Sequence, residues 1–349
     1  MSLQYLEDCE VKGGEDAIWT SAWTKHGVVV GRASGRVDVI DVTEAQISQA
    51  NSDTHTLGIV SMSPSVNDDL LLTSSMDGSV ALWQWSDRAL SRLARREHVR
   101  DVQVDGVAFN VDVWASALHP LGTNFAVAGE GAHVYLLSTD MATFGEGIRR
   151  LPVDDVEPNS YALSLAFNHE GDLLAMGTNT GTVYVWHVEE GTLLARIADH
   201  AEPIRTLSFS LPSSMYSDHL YVGSDDRTTT VHDVRAIRAK EATSAVTALQ
   251  GHKGWILRVQ AGGDGRVVAT SSSDGMVRLW DIGASPVQCV MTVAQTTPIW
   301  TVSWRPEAAQ ASNDATATQL VVPGSQFVTG SDDGTMRLYR NAGAQAQNS

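Results

Sequence analysis

The chain has 349 residues, and its 41 Asp and Glu outweigh its 24 Lys and Arg to give a formal net charge of −17. This balance argues against binding to nucleic-acid backbones, which requires clustered cations, and favours a protein partner with basic side chains. The two cysteines are too few for a disulfide framework. The sequence begins without a basic and then apolar leader and has no long apolar run, so we expect no secretory signal and no membrane span. These expectations place the protein in the cytoplasm or nucleus.

The first predicted strand, between Leu3 and Val11, precedes seven copies of one strand pattern. Each copy has a turn of small residues followed by an alternating β segment. The corresponding turn positions are Gly35, Gly78, Gly131, Gly181, Arg227, Gly275 and Gly334, so that six of the seven are glycine. Further along each copy lies a residue expected in the core of the third strand, namely Ile40, Trp83, Leu136, Trp186, His232, Trp280 and Tyr339. An array of this period predicts a propeller with four antiparallel strands per blade.

Four insertions interrupt the pattern, and we expect all of them to be loops between strands. They are Ser86 to Asp112, Met141 to Asn159, Leu211 to His219 and Glu307 to Ser325. The first carries Arg88, Arg92, Arg95, Arg96 and Arg100 on a stretch compatible with a helix. A run of charges is usually solvated, so we interpret this stretch as exposed surface rather than as a basic docking patch.

The sixth copy, from Gly251 to Ile282, resembles the WD repeat most closely, with Gly251-His252 at its start and Trp280-Asp281 at its end. His252, Asp274 and Trp280, with a Ser or Thr of the second strand, superficially resemble a catalytic triad. The stronger interpretation is the buried hydrogen-bond network that WD repeats use to tie a blade together. The chain has no G-x-S-x-G, H-E-x-x-H, C-x-x-C or P-loop motif, so we expect no enzymatic activity, no metal and no cofactor.

One residue from each copy is predicted at the start of the innermost strand, facing the mouth of a central channel. These seven start positions are Trp19, Val60, Trp114, Leu163, Arg205, Leu257 and Trp300. Tyr161 and Trp255 lie two positions before a start position, and Asp16 and Asp112 flank the same mouth. Aromatic rings around one Arg are typical of an interaction hot spot, and the acidic flank suits a peptide with an Arg and apolar anchors.

The last copy ends at Tyr339 without an outer strand of its own. We therefore expect the N-terminal strand to complete the seventh blade and close the ring, because closure removes exposed sheet edges. The prediction is one all-β domain, a seven-bladed β-propeller over residues 1–340. Residues 341–349, rich in Gly, Ala, Gln and Asn, are predicted to be a disordered tail.

Four segments add a more specific resemblance. They are Asp16-Ala17-Ile18-Trp19 with Ala22-Trp23, Leu57-Gly58-Ile59-Val60, the HAEPIRTLSF segment from His200 to Phe209, and Gly251-His252 with Trp255. Together they resemble the WD-repeat subunit of the Ski complex, the superkiller eight family. The chain departs from that family in its third copy, which lacks the Gly-His start, and in the insertion at 307–325.

The resemblance implies a non-catalytic adaptor that joins a tetratricopeptide scaffold and an RNA helicase, in a complex that feeds mRNA to the cytoplasmic exosome for 3′-to-5′ decay. It also implies association with the nuclear polymerase-associated factor complex or with meiotic recombination. The family's partner-binding surface maps onto Trp19, Trp114, Trp255 and Trp300, with Arg205 in the matching Pro-Ile-Arg segment. The alternative is a stand-alone peptide reader, either a histone-tail reader or a ubiquitin-ligase substrate receptor, whose acidic mouth would hold Lys or Arg.

Overall fold

A computed structural model describes residues 4–86, 88–104, 106–153, 157–211, 218–241, 244–263, 265–306 and 325–342. These residues form antiparallel strands and one short helix, α1 (Val234–Arg238), whose N-cap is Asp233. The strands pair into seven four-stranded sheets and one two-stranded ribbon. This is the all-β architecture of a β-propeller.

Six sheets use four strands that are consecutive in the chain, and the sheets are numbered 1 to 7 in the chain order of their innermost strands. Sheet 1 consists of β2 (Ile18–Thr24), β3 (Gly27–Arg32), β4 (Val37–Asp41) and β5 (Gln46–Asn51). Sheet 2 consists of β6 (Ile59–Pro64), β7 (Leu70–Ser75), β8 (Val80–Ser86) and β9 (Ala89–Arg96). Sheet 3 consists of β12 (Ala115–Leu118), β13 (Asn124–Ala128), β14 (Val134–Ser138) and β15 (Gly147–Leu151). Sheet 4 consists of β16 (Ala162–Phe167), β17 (Leu173–Thr178), β18 (Val183–His187) and β19 (Thr192–Ile197). Sheet 5 consists of β20 (Ile204–Phe209), β21 (His219–Ser224), β22 (Thr228–Asp233) and β23 (Thr247–Gln250). Sheet 6 consists of β24 (Ile256–Ala261), β25 (Val267–Ser272), β26 (Met276–Asp281) and β27 (Gln288–Ala294).

Sheet 7 combines the two ends of the described chain. Its strands are β28 (Ile299–Trp304), β29 (Gln326–Ser331), β30 (Thr335–Asn341) and, on the outside, β1 (Tyr5–Lys12). Strand β1 runs antiparallel to β30, from Tyr5 opposite Asn341 to Lys12 opposite Thr335. The Ala342 N–H also donates to the Gln4 carbonyl at 2.7 Å, so the sheet extends two residues beyond the predicted boundary at 340. Residues 343–349 lie outside the described residues, and their disorder stays a prediction.

The hydrophobic core lies between neighbouring sheets. The innermost strands contact one another in chain order from β2 to β28, and β28 also contacts β2. The seven third-strand residues predicted for the core are all buried, with at most 4% of any side chain exposed. Between sheets 5 and 6, for example, Trp280 packs in one cluster with Tyr221, Leu249 and Val259. Each sheet therefore buries both faces, which explains why its strands read as nearly continuous apolar runs.

The stretch from Ser86 to Asp112 is not helical, and this expectation was wrong. Its first part is β9, the outer strand of sheet 2, and the rest forms the ribbon of β10 (Val99–Val104) and β11 (Val107–Val111). Val99, Val102 and Val111 are buried in one cluster with core residues of sheets 2 and 3. β-Branched residues at alternating positions favour a strand with one buried face, and this burial outweighs the helical spacing of the arginines.

Three of the five arginines of this stretch make side-chain contacts within the chain. Arg92 donates to Thr54 Oγ1 at 3.1 Å, Arg95 pairs with Glu97 at 2.9 Å, and Arg96 donates to the Gly145 carbonyl. The expectation that all four insertions are loops was also wrong for a second one, because β15 lies between residues 141 and 159. Residues 212–217 and 307–324 of the other two insertions lie outside the described residues.

Asp68 provides a test of charge burial in the turn between β6 and β7. Its carboxylate accepts the Lys25 N–H at 2.7 Å, and burial raises its pKa from 3.8 to about 6. Its φ of 58° is one that Asn tolerates. Asp68→Asn keeps the acceptor and removes a buried charge, so we expect about 1–2 kcal/mol more stability at pH 7.5.

The gain in stability from Asp68→Asn should depend on pH. In the folded wild type the Asp68 carboxyl takes up a proton as the pH falls through about 6, and its buried charge is then lost. The stability difference between the two proteins should therefore shrink between pH 6 and the unfolded pKa near 4. Urea unfolding at pH 7.5 and pH 4.5 measures the difference. Asp69→Asn, at the exposed neighbouring carboxylate that pairs with Lys25, is the matched control and should give little gain. An equal gain from Asp68→Asn at both pH values would contradict the charge-burial explanation.

Candidate functional site

A backbone irregularity marks the beginning of the innermost strands. In six sheets the pairing between first and second strand skips one residue, and the skipped residues are Trp19, Val60, Leu163, Arg205, Leu257 and Trp300. In sheet 3 the corresponding residue is Trp114, whose N–H donates to the Ala128 carbonyl at 3.1 Å just before β12. At a β-bulge one side chain departs from the regular alternation between the two faces of the strand. The bulge therefore points the side chains of the start positions away from the core.

The exposure of these residues follows from that geometry. The residue before each start position is fully buried, at 0% exposure: Ile18, Ile59, Val113, Ala162, Ile204, Ile256 and Ile299. By contrast, Trp114 is 39% exposed and Trp255 is 49% exposed, while Trp19, Tyr161 and Trp300 are half-buried. Leu257 differs from its equivalents, because only 8% of it is exposed.

Trp19, Trp114, Tyr161, Trp255 and Trp300, together with Arg205, form the surface called the aromatic face below. The rings meet in pairs across neighbouring sheets rather than in one cluster. Trp19 of sheet 1 lies 5.9 Å from Trp300 of sheet 7, and Trp114 of sheet 3 meets Tyr161 of sheet 4 edge to face at 4.7 Å. The Arg205 guanidinium of sheet 5 lies 5.0 Å from the ring centroid of Trp255, at the start of sheet 6. Such contacts hold large side chains in fixed orientations on an open surface.

Apolar surface continues from Trp19 towards sheet 2. The Trp19 ring lies against Gly58, where a Cβ would overlap it, so glycine at this position makes room for the indole. The neighbouring Leu57 is 52% exposed, and Met76, whose N–H donates to the Gly58 carbonyl at 3.0 Å, is 56% exposed. Exposed apolar residues that adjoin one another in this way are typical of an interaction site.

Two carboxylates that the sequence analysis missed orient the aromatic face. Asp225 accepts a 2.6 Å hydrogen bond from Arg205 Nε, so Arg205 is an ion-paired residue and not a free cation. Asp332 accepts a 3.0 Å hydrogen bond from Trp300 Nε1. Both belong to pairs of consecutive aspartates in the turn after the second strand, Asp225-Asp226 and Asp332-Asp333. These Asp-Asp pairs are the sequence feature from which the two carboxylates could have been predicted.

The two acidic residues predicted for this site are placed differently. The Asp16 carboxylate accepts hydrogen bonds from the Ser34 N–H at 3.0 Å and from Ser34 Oγ at 2.5 Å, so it fastens a turn of sheet 1. Asp112 is exposed, two residues before Trp114. Asp112 is therefore the more accessible of the two to a basic group on a partner.

His252, Asp274 and Trp280 lie in one hydrogen-bonded chain inside sheet 6. His252 Nδ1 lies 3.0 Å from Asp274 Oδ2, His252 Nε2 lies 2.8 Å from Thr270 Oγ1, and Trp280 Nε1 donates to the same oxygen at 2.9 Å. Burial lowers the pKa of His252, against the opposing effect of Asp274. Both ring nitrogens are engaged, which leaves this histidine no free nitrogen for acid–base chemistry.

The same arrangement recurs in sheet 2. His55 Nε2 lies 2.8 Å from Thr73 Oγ1, which accepts a 2.9 Å hydrogen bond from Trp83 Nε1. Burial lowers the pKa of His55 to about 4, so this ring is neutral at physiological pH. In sheet 7 Gln295 replaces the histidine and donates to Thr329 Oγ1 and to the Tyr339 hydroxyl. The recurrence at equivalent positions indicates a device that holds each sheet together.

In the described part of the chain, no group of three or more His, Cys, Asp and Glu side chains is arranged to hold a metal ion. No helix among the described residues is long and apolar enough to cross a bilayer.

Comparison with known families identifies WD repeats. The model of the WD domain, G-beta repeat, matches residues 48–84 and 243–281. Each match begins near the outer strand of one sheet and ends in the third strand of the next, so the sequence repeat is offset by one strand from the structural sheet. Two segments of the chain are therefore similar to WD repeats.

Curated relatives match parts of their own length only. LEC14B protein of Lithospermum erythrorhizon is 29% identical over 40% of this chain and 29% of its own length. WD repeat and SOCS box-containing protein 1 of Danio rerio is 31% identical over 33% of this chain and 26% of its own. Echinoderm microtubule-associated protein-like 2 of Mus musculus is 27% identical over 65% of this chain and 34% of its own. The chain thus spans about a third or less of these relatives, and none of the three names refers to an RNA-decay complex.

Proposed function

We propose that this WD-repeat protein is a non-catalytic scaffold that binds a partner protein on its aromatic face. The observation that carries the proposal is the exposure of Trp114 and Trp255 beside half-buried rings that are already fixed by contacts across sheets. Large aromatic side chains held in one orientation lose little conformational entropy when a partner covers them. A scaffold of this kind requires no chemistry of its own.

We further infer that the seven sheets form a seven-bladed ring closed by β1. Two observations support this inference: the contact between β28 and β2, and the antiparallel pairing of β1 with β30. Pairing β1 with β30 covers the outer edge of β30 and completes four strands in sheet 7, and it fastens the start positions of sheets 1 and 7 to one another. Trp19 and Trp300 meet at this junction.

The partner segment that suits the aromatic face combines apolar anchors with a Lys or Arg. The rings and the exposed Leu57 and Met76 would take the apolar groups, while Asp112 would take the cation. The net charge of −17 adds a field that attracts basic segments and disfavours nucleic acid. Salt should therefore weaken partner binding modestly, because exposed charge pairs are screened.

The specific assembly we propose is an RNA-decay complex of the Ski type, with a tetratricopeptide scaffold and an RNA helicase as partners, in the cytoplasm and also in the nucleus with the polymerase-associated factor complex or in meiosis. Support comes from the segments around Trp19, Gly58 and Arg205 that resemble the superkiller eight family. Affinity purification of the tagged protein from native extract, read by mass spectrometry, tests it. Recovery of neither a helicase nor a tetratricopeptide protein would refute this assignment.

The alternative is a stand-alone peptide reader, such as a histone-tail reader or a ubiquitin-ligase substrate receptor. The exposure of Asp112, two residues before the exposed Trp114, favours it, because a carboxylate and an aromatic ring together suit a single Lys or Arg side chain. One relative pairs WD repeats with a SOCS box in its name, although the chain spans only 26% of it. Tight binding of an isolated histone tail without a stable large complex would support this alternative.

Trp114→Ala separates binding from folding. We expect partner binding to weaken by about 2 kcal/mol or more, because a fixed aromatic anchor is lost. The melting temperature should stay near that of the wild type, since 39% of this side chain is already exposed. The measurement is isothermal titration with the captured partner, alongside circular dichroism.

Leu121→Ala is the matched control, because Leu121 is 73% exposed in the turn between β12 and β13 of the same sheet, at the opposite end of β12. It should leave binding unchanged. A fall in melting temperature that accounts for the binding loss of Trp114→Ala would show that the ring is part of the core. A pull-down with the Trp19→Ala/Trp114→Ala double variant extends the test to the whole face.

A further inference from the structure

A cavity of about 760 Å³ lies along the innermost strands, away from the aromatic face. All seven sheets contribute lining residues, and none of the residues of the aromatic face is among them. This space, called the axial cavity below, has the volume of a small-molecule site. Its lining is partly apolar, with Phe167, Leu207 and Phe209, and partly polar, with the hydroxyls of Ser61 and Ser208.

Arg258 is the exceptional residue of the innermost strands. The residue that follows each start position is Thr20, Ser61, Ala115, Ser164, Thr206, Arg258 or Thr301. Six of these seven are small, and only sheet 6 places a long cationic side chain there. Arg258 lies opposite Ser271 in the sheet and lines the axial cavity.

The guanidinium of Arg258 has no counter-charge in the described part of the chain. Its Nε is buried without a hydrogen-bond partner, and no described residue makes a hydrogen bond or ion pair with it. Burial lowers the pKa of Arg258, and no nearby carboxylate opposes this effect. Arg258 is half-buried as a residue and its Nε is fully buried, so the unpaired cation costs stability that an anion bound in the cavity would recover.

The other cations of the cavity lining make contacts of their own. Lys25 Nζ pairs with Asp69 at 3.0 Å, and Arg305, which has no carboxylate partner among the described residues, donates from Nη1 to the neutral Gln326 Oε1 at 2.5 Å. Asp68 is the one carboxylate among the described lining residues, and it accepts the Lys25 N–H. Among the described cations of this lining, Arg258 is therefore the one whose guanidinium makes no hydrogen bond within the described part of the protein.

We propose that the axial cavity binds a small organic acid, with Arg258 holding its oxyanion and the apolar lining holding its body. A guanidinium matches the two oxygens of a carboxylate or phosphate with parallel N–H donors. A small ligand fits better than a polyanion, because the cavity is bounded by the innermost strands and the protein carries a net charge of −17. This site is separate from the proposed partner surface and does not depend on it.

Isothermal titration of the full chain with three probes tests the proposal. The probes are 4-phenylbutyrate, phenyl phosphate and the neutral 4-phenylbutyramide, so that the two acids distinguish a carboxylate from a phosphate ligand. We expect saturable binding of at least one acid and none of the amide. Arg258→Met should weaken acid binding about tenfold or more, as expected for the loss of a charge-assisted hydrogen bond.

Arg266→Met is the matched control. Arg266 belongs to the same sheet but pairs with Asp281 at 2.7 Å and does not line the cavity, so acid binding should be unchanged. Without any ligand, Arg258→Met should raise the melting temperature, because it replaces an unpaired cation by an apolar chain of similar length. Binding of neither acid to the wild type, equal acid binding by the Met variant, or a lower melting temperature of that variant would each overturn the proposal.

Discussion

Replacing Trp280 by Ala is expected to lower the free energy of unfolding by about 3–5 kcal/mol. Only 4% of this side chain is exposed, and it fills the space between sheets 5 and 6 beside Tyr221 and Leu249. The substitution leaves a cavity and also removes the indole N–H that donates to Thr270 Oγ1. Denaturant unfolding, monitored by far-UV circular dichroism rather than by tryptophan fluorescence, measures the loss of stability.

The contrast with Trp114→Ala makes this prediction specific. Both variants remove an indole, but Trp114 is 39% exposed and lies at the rim of sheet 3. The core variant should therefore lose stability and the surface variant should lose partner binding. Equal destabilisation by the two variants would show that indole loss acts in the same way at both positions and would remove the distinction between core and aromatic face.

Asp38→Asn is expected to cost about 3–5 kcal/mol of stability, because it leaves a buried arginine without its counter-charge. Asp38 and Arg32 are both 0% exposed, and Arg32 Nε donates to Asp38 Oδ2 at 2.5 Å. Arg32 Nη1 also donates to the Asp16 carbonyl at 2.7 Å and to the Gly334 carbonyl at 3.2 Å, so this pair connects sheet 1 with the end of sheet 7. Equilibrium unfolding in urea gives the change in free energy.

A double variant tests the mechanism. Arg32→Met/Asp38→Leu removes both fully buried charges. Arg36, which also pairs with Asp38 at 2.8 Å, keeps its charge but is 28% exposed and therefore solvated, so the double variant should lose less stability than Asp38→Asn alone. Asp69→Asn, which breaks the exposed pair with Lys25, is the control and should change stability by about 1 kcal/mol or less. If the double variant were less stable than the single one, the hydrogen bonds to the Asp16 and Gly334 carbonyls would outweigh the charge effect.

Local pattern was informative wherever the same chemistry recurs in each repeat. The turn glycines and the third-strand residues such as Trp83 and Trp280 stand at repeated spacings, and a buried strand requires an apolar residue at that point whatever surrounds it. The matching histidines His55 and His252 could be aligned for the same reason, because each must reach a threonine of its own sheet.

Other features depend on partners distant in the chain. The pairing of Arg205 with Asp225 and of Trp300 with Asp332 could not be derived from spacing, because a turn aspartate has several neighbours within reach. The stretch around Arg92 was misjudged as compatible with a helix because the deciding factor is the burial of Val99 and Val102 between two sheets. The unpaired state of Arg258 likewise became visible only when every described group around it was placed.

The sequence by itself therefore determined the strand order, the repeat and the residues of the sheet interior, because alternation and turn chemistry act over a few residues. It also pointed to Trp19, Trp114 and Trp300 as one set. Only the tertiary structure decided which of these rings are exposed, since a one-residue bulge changes the face of the sheet on which a side chain lies. The tertiary structure alone also decided which charges are paired, because a turn carboxylate has several possible partners within reach and packing selects one of them.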